Sequence, residues 1–170
     1  EEATFRELKK KDAAERGSLA HEVAARAARG ETTKEDEANP YHPAIASFLA
    51  ERKASTVAVE TVVLNKHYGY AGTVDLVAAL DGAEGKRWII DWKTSAAVYP
   101  EYKLQLAAYA WAYETVKADG TIGTAPISDK AAIVLLGKDG HYEFYEVDVG
   151  ILMLDNFLAV KRAWSFLNER

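Results

Sequence analysis

Cysteine is absent from the 170 residues of this chain, which rules out a disulfide framework, a thiolate zinc site, a cysteine nucleophile and a cysteine-ligated iron–sulfur cluster. Proline is scarce, with only four residues. No run approaches the eighteen or so uncharged apolar residues of a membrane span. The N-terminus is charged and helical in pattern, unlike a secretory leader. These absences predict a soluble, cytoplasmic protein without a membrane partner. The first residue is Glu1 and not methionine, so sequence ahead of it is expected. Basic residues are outnumbered, giving a formal charge of −5. That balance disfavours coating long stretches of nucleic acid, because such binding is dominated by lysine and arginine neutralising phosphates. It leaves room for a cleft that holds a few phosphates through metal ions. The run Lys9, Lys10, Lys11 with Arg6 and Arg16 reads as either a solvated helix face or a phosphate-facing patch.

Hydrophobic residues make up 49% of the chain, enough for a core in one domain spanning 1–170. The first thirty residues read as one bent helix or two short ones, closed at Gly30. Residues 31–41 read as a loop, and Pro43 opens a short helix through about Arg52. The period then changes to that of strands over Ser55–Leu64, Ala71–Leu80 and Lys86–Lys93, a three-strand meander. A helix follows over Glu101–Lys117. Two strands joined across Lys138-Asp139-Gly140 and a closing helix over Ile151–Leu167 complete an α/β chain. The expected fold is a central mixed β-sheet flanked by helices.

The third strand, RWIIDWKTS from Arg87, is largely apolar yet carries Asp91 and Lys93. Alternation puts Trp88, Ile90 and Trp92 on one face and Ile89, Asp91 and Lys93 on the other. In the preceding strand Asp75 is again a lone carboxylate among apolar neighbours, alternating onto a face with Thr73 and Val77. If the two strands form a hairpin through Asp81-Gly82, Asp75 and Asp91 converge. Two close carboxylates repel, and burying either costs several kcal/mol unless something positive joins them. A divalent cation resolves the conflict, hard oxygen ligands suiting Mg²⁺ or Mn²⁺. An ion pair of Asp91 with Lys93, or of Asp75 with a lysine, resolves it equally well.

Asp75 followed by Asp91-x-Lys93, with Gly72-Thr73-Val74-Asp75 as a Gly-x-x-Asp element, resembles the signature of the PD-(D/E)XK nuclease superfamily. The chain is similar to its RecB-like exonuclease branch in two further elements. One is a histidine after a Gly-Ser pair, Arg16-Gly17-Ser18-Leu19-Ala20-His21. The other is Gln105 and Tyr109, four apart on the helix after the Asp-x-Lys strand. The resemblance covers residues 16–110 and implies a restriction-endonuclease-like core. It implies His21, Asp75, Asp91 and the Trp92 carbonyl as ligands of Mg²⁺ or Mn²⁺. It also implies Lys93 serving the attacking water and the phosphate, with Gln105 and Tyr109 positioning both. Glu60, in the strand before Asp75 and alternating onto the face of Ala58 and Val62, matches an acidic residue near the lysine or a second metal. Gly17 is read either as a close approach of backbone or as a tolerated helix glycine.

The expected activity is hydrolysis of DNA phosphodiester bonds, chiefly as an exonuclease on ends or on single-stranded and branched DNA. Without the iron–sulfur staple of helicase-associated relatives, the chain is similar to stand-alone nucleases of phages and mobile elements that act in DNA repair and recombination. A ring of identical subunits or a recombination or replication protein are partners the resemblance leaves open. A non-catalytic binding module on the same fold, and a phosphohydrolase of small nucleotides, are the competing readings. Aromatics at Tyr99, Tyr102, Tyr109, Trp111 and Tyr113 crowd one helix, for core packing or for stacking on unpaired bases.

Overall fold

A computed structural model describes residues 2–82, 87–126, 128 and 130–168, with side chains from Ala14 onward. The expected strand start at Lys86 and the side chains of Arg6 and Lys9–Lys11 lie outside the described residues. The elements in chain order are α1 (Glu2–Arg29), α2 (Lys34–Glu37), α3 (His42–Glu51), β1 (Ser55–Asn65), β2 (Tyr70–Ala79) and β3 (Arg87–Lys93). There follow α4 (Pro100–Ala110), β4 (Glu114–Val116), β5 (Ile122–Thr124), β6 (Ala131–Leu136), β7 (Tyr142–Val147) and α5 (Ile151–Asn168).

α1 is one continuous helix, so Gly17 does not break it into two. A Cβ at Gly17 would meet Thr94 Oγ1 at 3.9 Å, an ordinary contact, and no close backbone approach requires the glycine. The helix ends where Gly30 adopts φ 75°. Glu31 N–H donates to the Arg26 carbonyl and Gly30 N–H to that of Ala27, satisfying two carbonyls that a helix end leaves open. The stretch expected to be loop holds α2, a single turn. Thr33 caps it reciprocally with Asp36, and Arg26 fixes Asp36 with bonds of 2.9 Å and 2.5 Å.

The seven strands lie in the order β5-β4-β1-β2-β3-β6-β7. The meander β1–β2–β3 is antiparallel, and β3 pairs in parallel with β6. Antiparallel β7 closes one edge and antiparallel β4 and β5 the other. The sheet is therefore mixed, with helices on both faces, as expected. α1 and α3 cover one face, where Val23, Ile45 and Phe48 pack on Leu76, Ile90 and Trp92. The Phe48 and Trp92 rings meet edge to face at 5.1 Å. On the other face Leu106, Ala107 and Tyr109 of α4 pack on Val77, Ile89 and Ile133.

α4 stops at Ala110, seven residues before the expected end at Lys117. Tertiary bonds decide this. Asn65 donates to the Trp111 carbonyl at 2.6 Å, Trp111 Nε1 donates to the Val149 carbonyl, and Thr115 Oγ1 donates to the Val62 carbonyl. These pull Glu114–Val116 onto the free edge of β1 as a strand that helix propensity alone does not announce.

Candidate active site

β1 and β2 keep one register from Ala58↔Val77 to Asn65↔Tyr70, except that the step which would pair Glu60 with Asp75 is missing. Glu60 sits at φ 49°, in the left-handed region that side-chain-bearing residues seldom occupy. The strands change faces at this point. Val59 and Leu76 pack under α1 and α3, whereas Val63 and Val74 pack under α4. Simple alternation, which aligned Asp75 with Thr73 and Val77 and Glu60 with Ala58 and Val62, therefore fails across this irregularity. The kink frees both carboxylates from a regular pleat.

Asp75 Oδ2 accepts the backbone N–H of Trp92 at 2.9 Å. The β2–β3 ladder runs only as far as Leu76↔Ile90, so a side chain takes over where backbone pairing ends. The Trp92 N–H and carbonyl address the same strand edge, which turns that carbonyl toward β2 and Asp75. The Trp92 ring stands off the sheet face, buried at 1% exposure against Phe48 of α3.

α1 brings His21 to the same carboxylate, with Nδ1 3.3 Å from Asp75 Oδ1. His21, Glu60 and Asp75 each offer a ligand atom within 4.8 Å of the others, a grouping able to hold a metal ion. Burial pulls the His21 pKa down. Contact with Asp75, with help from the Asp91 charge and against Lys93, more than reverses this, and the net shift is upward. Burial and the nearby Asp75 charge likewise push Glu60 up. The Asp75 charge thus makes Glu60 costlier to ionise.

Asp91, 2% exposed, lies outside that trio. Its Oδ2 is 2.6 Å from Lys93 Nζ, but the approach is off the hydrogen-bonding line, and this buried oxygen has no hydrogen-bond partner. Burial first and Asp75 second push its pKa up to about 6, outweighing Lys93. Lys93 thus offsets the burial of Asp91 and the Asp75 charge only in part. Lys93 is gripped on its other sides. It donates to Gln105 Oε1 at 3.3 Å and sits 4.8 Å above the Tyr102 ring. Gln105 in turn donates to the Tyr109 hydroxyl at 2.8 Å. Burial, opposed by Gln105 and helped by nearby carboxylates, pushes Tyr109 up to about 12, so its phenol keeps its proton.

Gly72 has a steric reason here. A Cβ at this position would lie 2.5 Å from Tyr109 Cε1, so only glycine lets the tyrosine ring lie against β2. Tyr102 is the functional neighbour that sequence reasoning left among the stacking aromatics. It falls three residues before Gln105 and seven before Tyr109, on the same helix stripe, a spacing that could have found it.

The structure thus gathers His21, Glu60 and Asp75 on one side and Asp91, Lys93, Gln105 and Tyr109 on the other, joined through the Asp75–Trp92 bond. Residues 40–148 match the family model of the PD-(D/E)XK nuclease superfamily. The chain belongs to that superfamily. His21 precedes the matched span, and the other candidate residues fall within it. No curated protein matches the chain. PD-(D/E)XK nucleases use divalent metals, and the donor set fits one: the hard carboxylate oxygens of Glu60 and Asp75 and the His21 imidazole, within 4.8 Å of one another. Membership also accounts for the mixed sheet flanked by helices and makes a nucleic acid the expected substrate. Among the described residues no helix is long and apolar enough to cross a membrane.

Proposed function

We propose that the chain is a metal-dependent deoxyribonuclease of the RecB-like branch, an exonuclease acting on ends or on single-stranded and branched DNA. The observation that carries this reading is the joining of the His21, Glu60 and Asp75 trio to the Asp91–Lys93 pair across one hydrogen bond from Trp92 to Asp75. His21, Asp75, Asp91, the Trp92 carbonyl and Glu60 would hold Mg²⁺ or Mn²⁺. The cation, when bound, supplies the Lewis acidity that lowers the pKa of water and offsets phosphate charge.

The protein's own groups do the rest. Lys93, fixed by Asp91, Gln105 and the Tyr102 ring, presents an ammonium to the attacking water and the phosphate oxygens. Gln105 keeps the Tyr109 phenol in place, and the phenol proton is left to donate to a phosphate oxygen. His21 must release its proton to act as a ligand, so ion binding and proton release are coupled. One P–O bond forms to the water oxygen and one breaks to the leaving sugar oxygen, in line and without a covalent enzyme intermediate. A groove of about 650 Å³ runs down α1 and carries Ser18, Arg26 and Arg29 beside Glu22 and Glu60, donors suited to the strand's phosphates once a cation offsets the acids.

The test is digestion of linear duplex, single-stranded and closed circular DNA with Mg²⁺ or Mn²⁺ and with EDTA. It is run on the unaltered protein and on Lys93→Ala and Asp75→Asn. Metal-dependent loss of linear DNA with circles spared, abolished by both substitutions, supports the exonuclease. Cutting of circles would make it an endonuclease. Binding of DNA without cleavage would leave a binding module on the nuclease fold.

A further inference from the structure

A second groove, of about 470 Å³, opens on the other side of Lys93 between α4, the start of β2 and α5. Its floor is Gln105 and Tyr109, the pair that holds Lys93, so it is continuous with the site described above. Its walls are Tyr70, Tyr102 and Phe157, with Val160 at the mouth. Tyr70 and Phe157 stand edge to face at 5.0 Å. Among the described residues the only charged one on the lining is Glu101, an anion that repels phosphate. The α1 groove is polar and charged by contrast, lined by Arg26 and Arg29 together with His21, Glu22 and Glu60. The acidic cluster, of which His21 and Glu60 line the α1 groove, therefore has a charged groove on one side and an aromatic one on the other.

We propose that the aromatic groove receives an unpaired nucleobase of the substrate strand, next to the phosphate that is cut. The proposal rests on the nuclease reading of the same site and names its substrate class: strands that present at least one unstacked nucleotide. A polymer that alternates anionic phosphates with flat apolar rings matches an acidic, cation-binding cluster flanked by arginines and continuous with a groove of aromatic rings. Aromatic side chains bind any base by its face, so the groove recognises lack of pairing and not sequence. Its volume falls within the usual range for small-molecule sites, about 300–1,000 Å³. A base inside a duplex reaches such a groove only after being unpaired and unstacked, which penalises intact duplex interiors. Val160, 56% exposed, stands where an arriving base would pass.

The test measures binding of single-stranded oligonucleotides carrying one abasic nucleotide at each position in turn. Ca²⁺ replaces Mg²⁺ to hold off cleavage. Proteins compared are the unaltered chain, Phe157→Leu, which keeps bulk but not the ring, and Val160→Arg, which crowds the mouth without repelling phosphates. The expected result is one position, beside the cleaved bond, at which base removal weakens binding about tenfold. That penalty shrinks toward none in both variants while total strand binding persists.

Abasic nucleotides without effect at every position, or a penalty unchanged in both variants, would overturn the base groove. So would a second copy of the chain occupying it, seen as a dimer that Val160→Arg dissociates while base removal costs nothing. Cleavage by the unaltered protein in Mg²⁺ is scored separately. A lost penalty with intact cleavage removes the groove and leaves the nuclease, whereas a retained penalty with no cleavage under any metal removes the nuclease and leaves the groove.

Discussion

Glu60 adopts a backbone conformation that costs a side-chain-bearing residue on the order of 1–3 kcal/mol. Something must hold it there, and a role as a metal ligand beside His21 and Asp75 would give that strain a use. Glu60→Gly should relieve the strain and raise unfolding stability by about 1 kcal/mol, while weakening Mn²⁺ binding and cleavage. Urea unfolding and Mn²⁺ titration on the same preparation check both halves. A variant that is no more stable, or that binds Mn²⁺ as before, would refute the strained-ligand account. Gly72 makes the complementary case, since here the missing side chain matters. Gly72→Ala forces a methyl into the Tyr109 ring and should lower kcat about tenfold or more through displacement of the Gln105–Tyr109–Lys93 chain. If Tyr109→Phe leaves kcat untouched while Gly72→Ala lowers it, the damage lies elsewhere than in the phenol.

Among the elements, α1 carries His21 and is tied down at its far end by Arg26, whose guanidinium grips Asp36 of α2. Arg26, then the Thr33 backbone, hold the Asp36 carboxyl well below its ordinary range. A depressed carboxylate contributes stability that is present above its unfolded pKa, ~3.9, and is lost as pH falls toward the folded value. Asp36→Asn should therefore be less stable than the unaltered protein at pH 5, and the gap should narrow at pH 3. An equal gap at both pH values would mean that the aspartate acts only through shape. The sequence announced α1, its stop at Gly30 and the three-strand meander, because Ala-rich and β-branched runs each have one strong local preference. It did not announce α2, β4 or β5. β4 and β5 depend on Asn65 and Thr115 bonds spanning about fifty residues of chain, which leave no local trace, whereas α2 has a local signal, the Thr33–Asp36 capping box, in a stretch too polar and short to read as a helix.

At the scale of the molecule, two apolar layers meet at the sheet, and the site occupies the place where its meander stops pairing. Alternation along β3 sufficed to align Asp91 with Lys93, since that strand is regular. The same rule misjudged the surroundings of Asp75 and Glu60, because a face switch in β1 and β2 comes from a backbone kink that periodicity does not encode. The resemblance, in contrast, picked out residues by type and order and so was indifferent to the kink. The result is an acidic cluster that the fold holds together against its own repulsion, with Asp91 and Glu60 both pushed up. A cation that binds only the folded chain must then stabilise it, by about 2.7 kcal/mol at one hundred times its Kd. For a chain of this size that corresponds to a rise in Tm of about 5–10 °C. Mn²⁺ should give such a rise in the unaltered protein, EDTA should reverse it, and Asp75→Asn should abolish it. A Tm that moves equally in Asp75→Asn would show that Mn²⁺ stabilises the chain from some other place, and the acidic cluster would need another explanation for its survival.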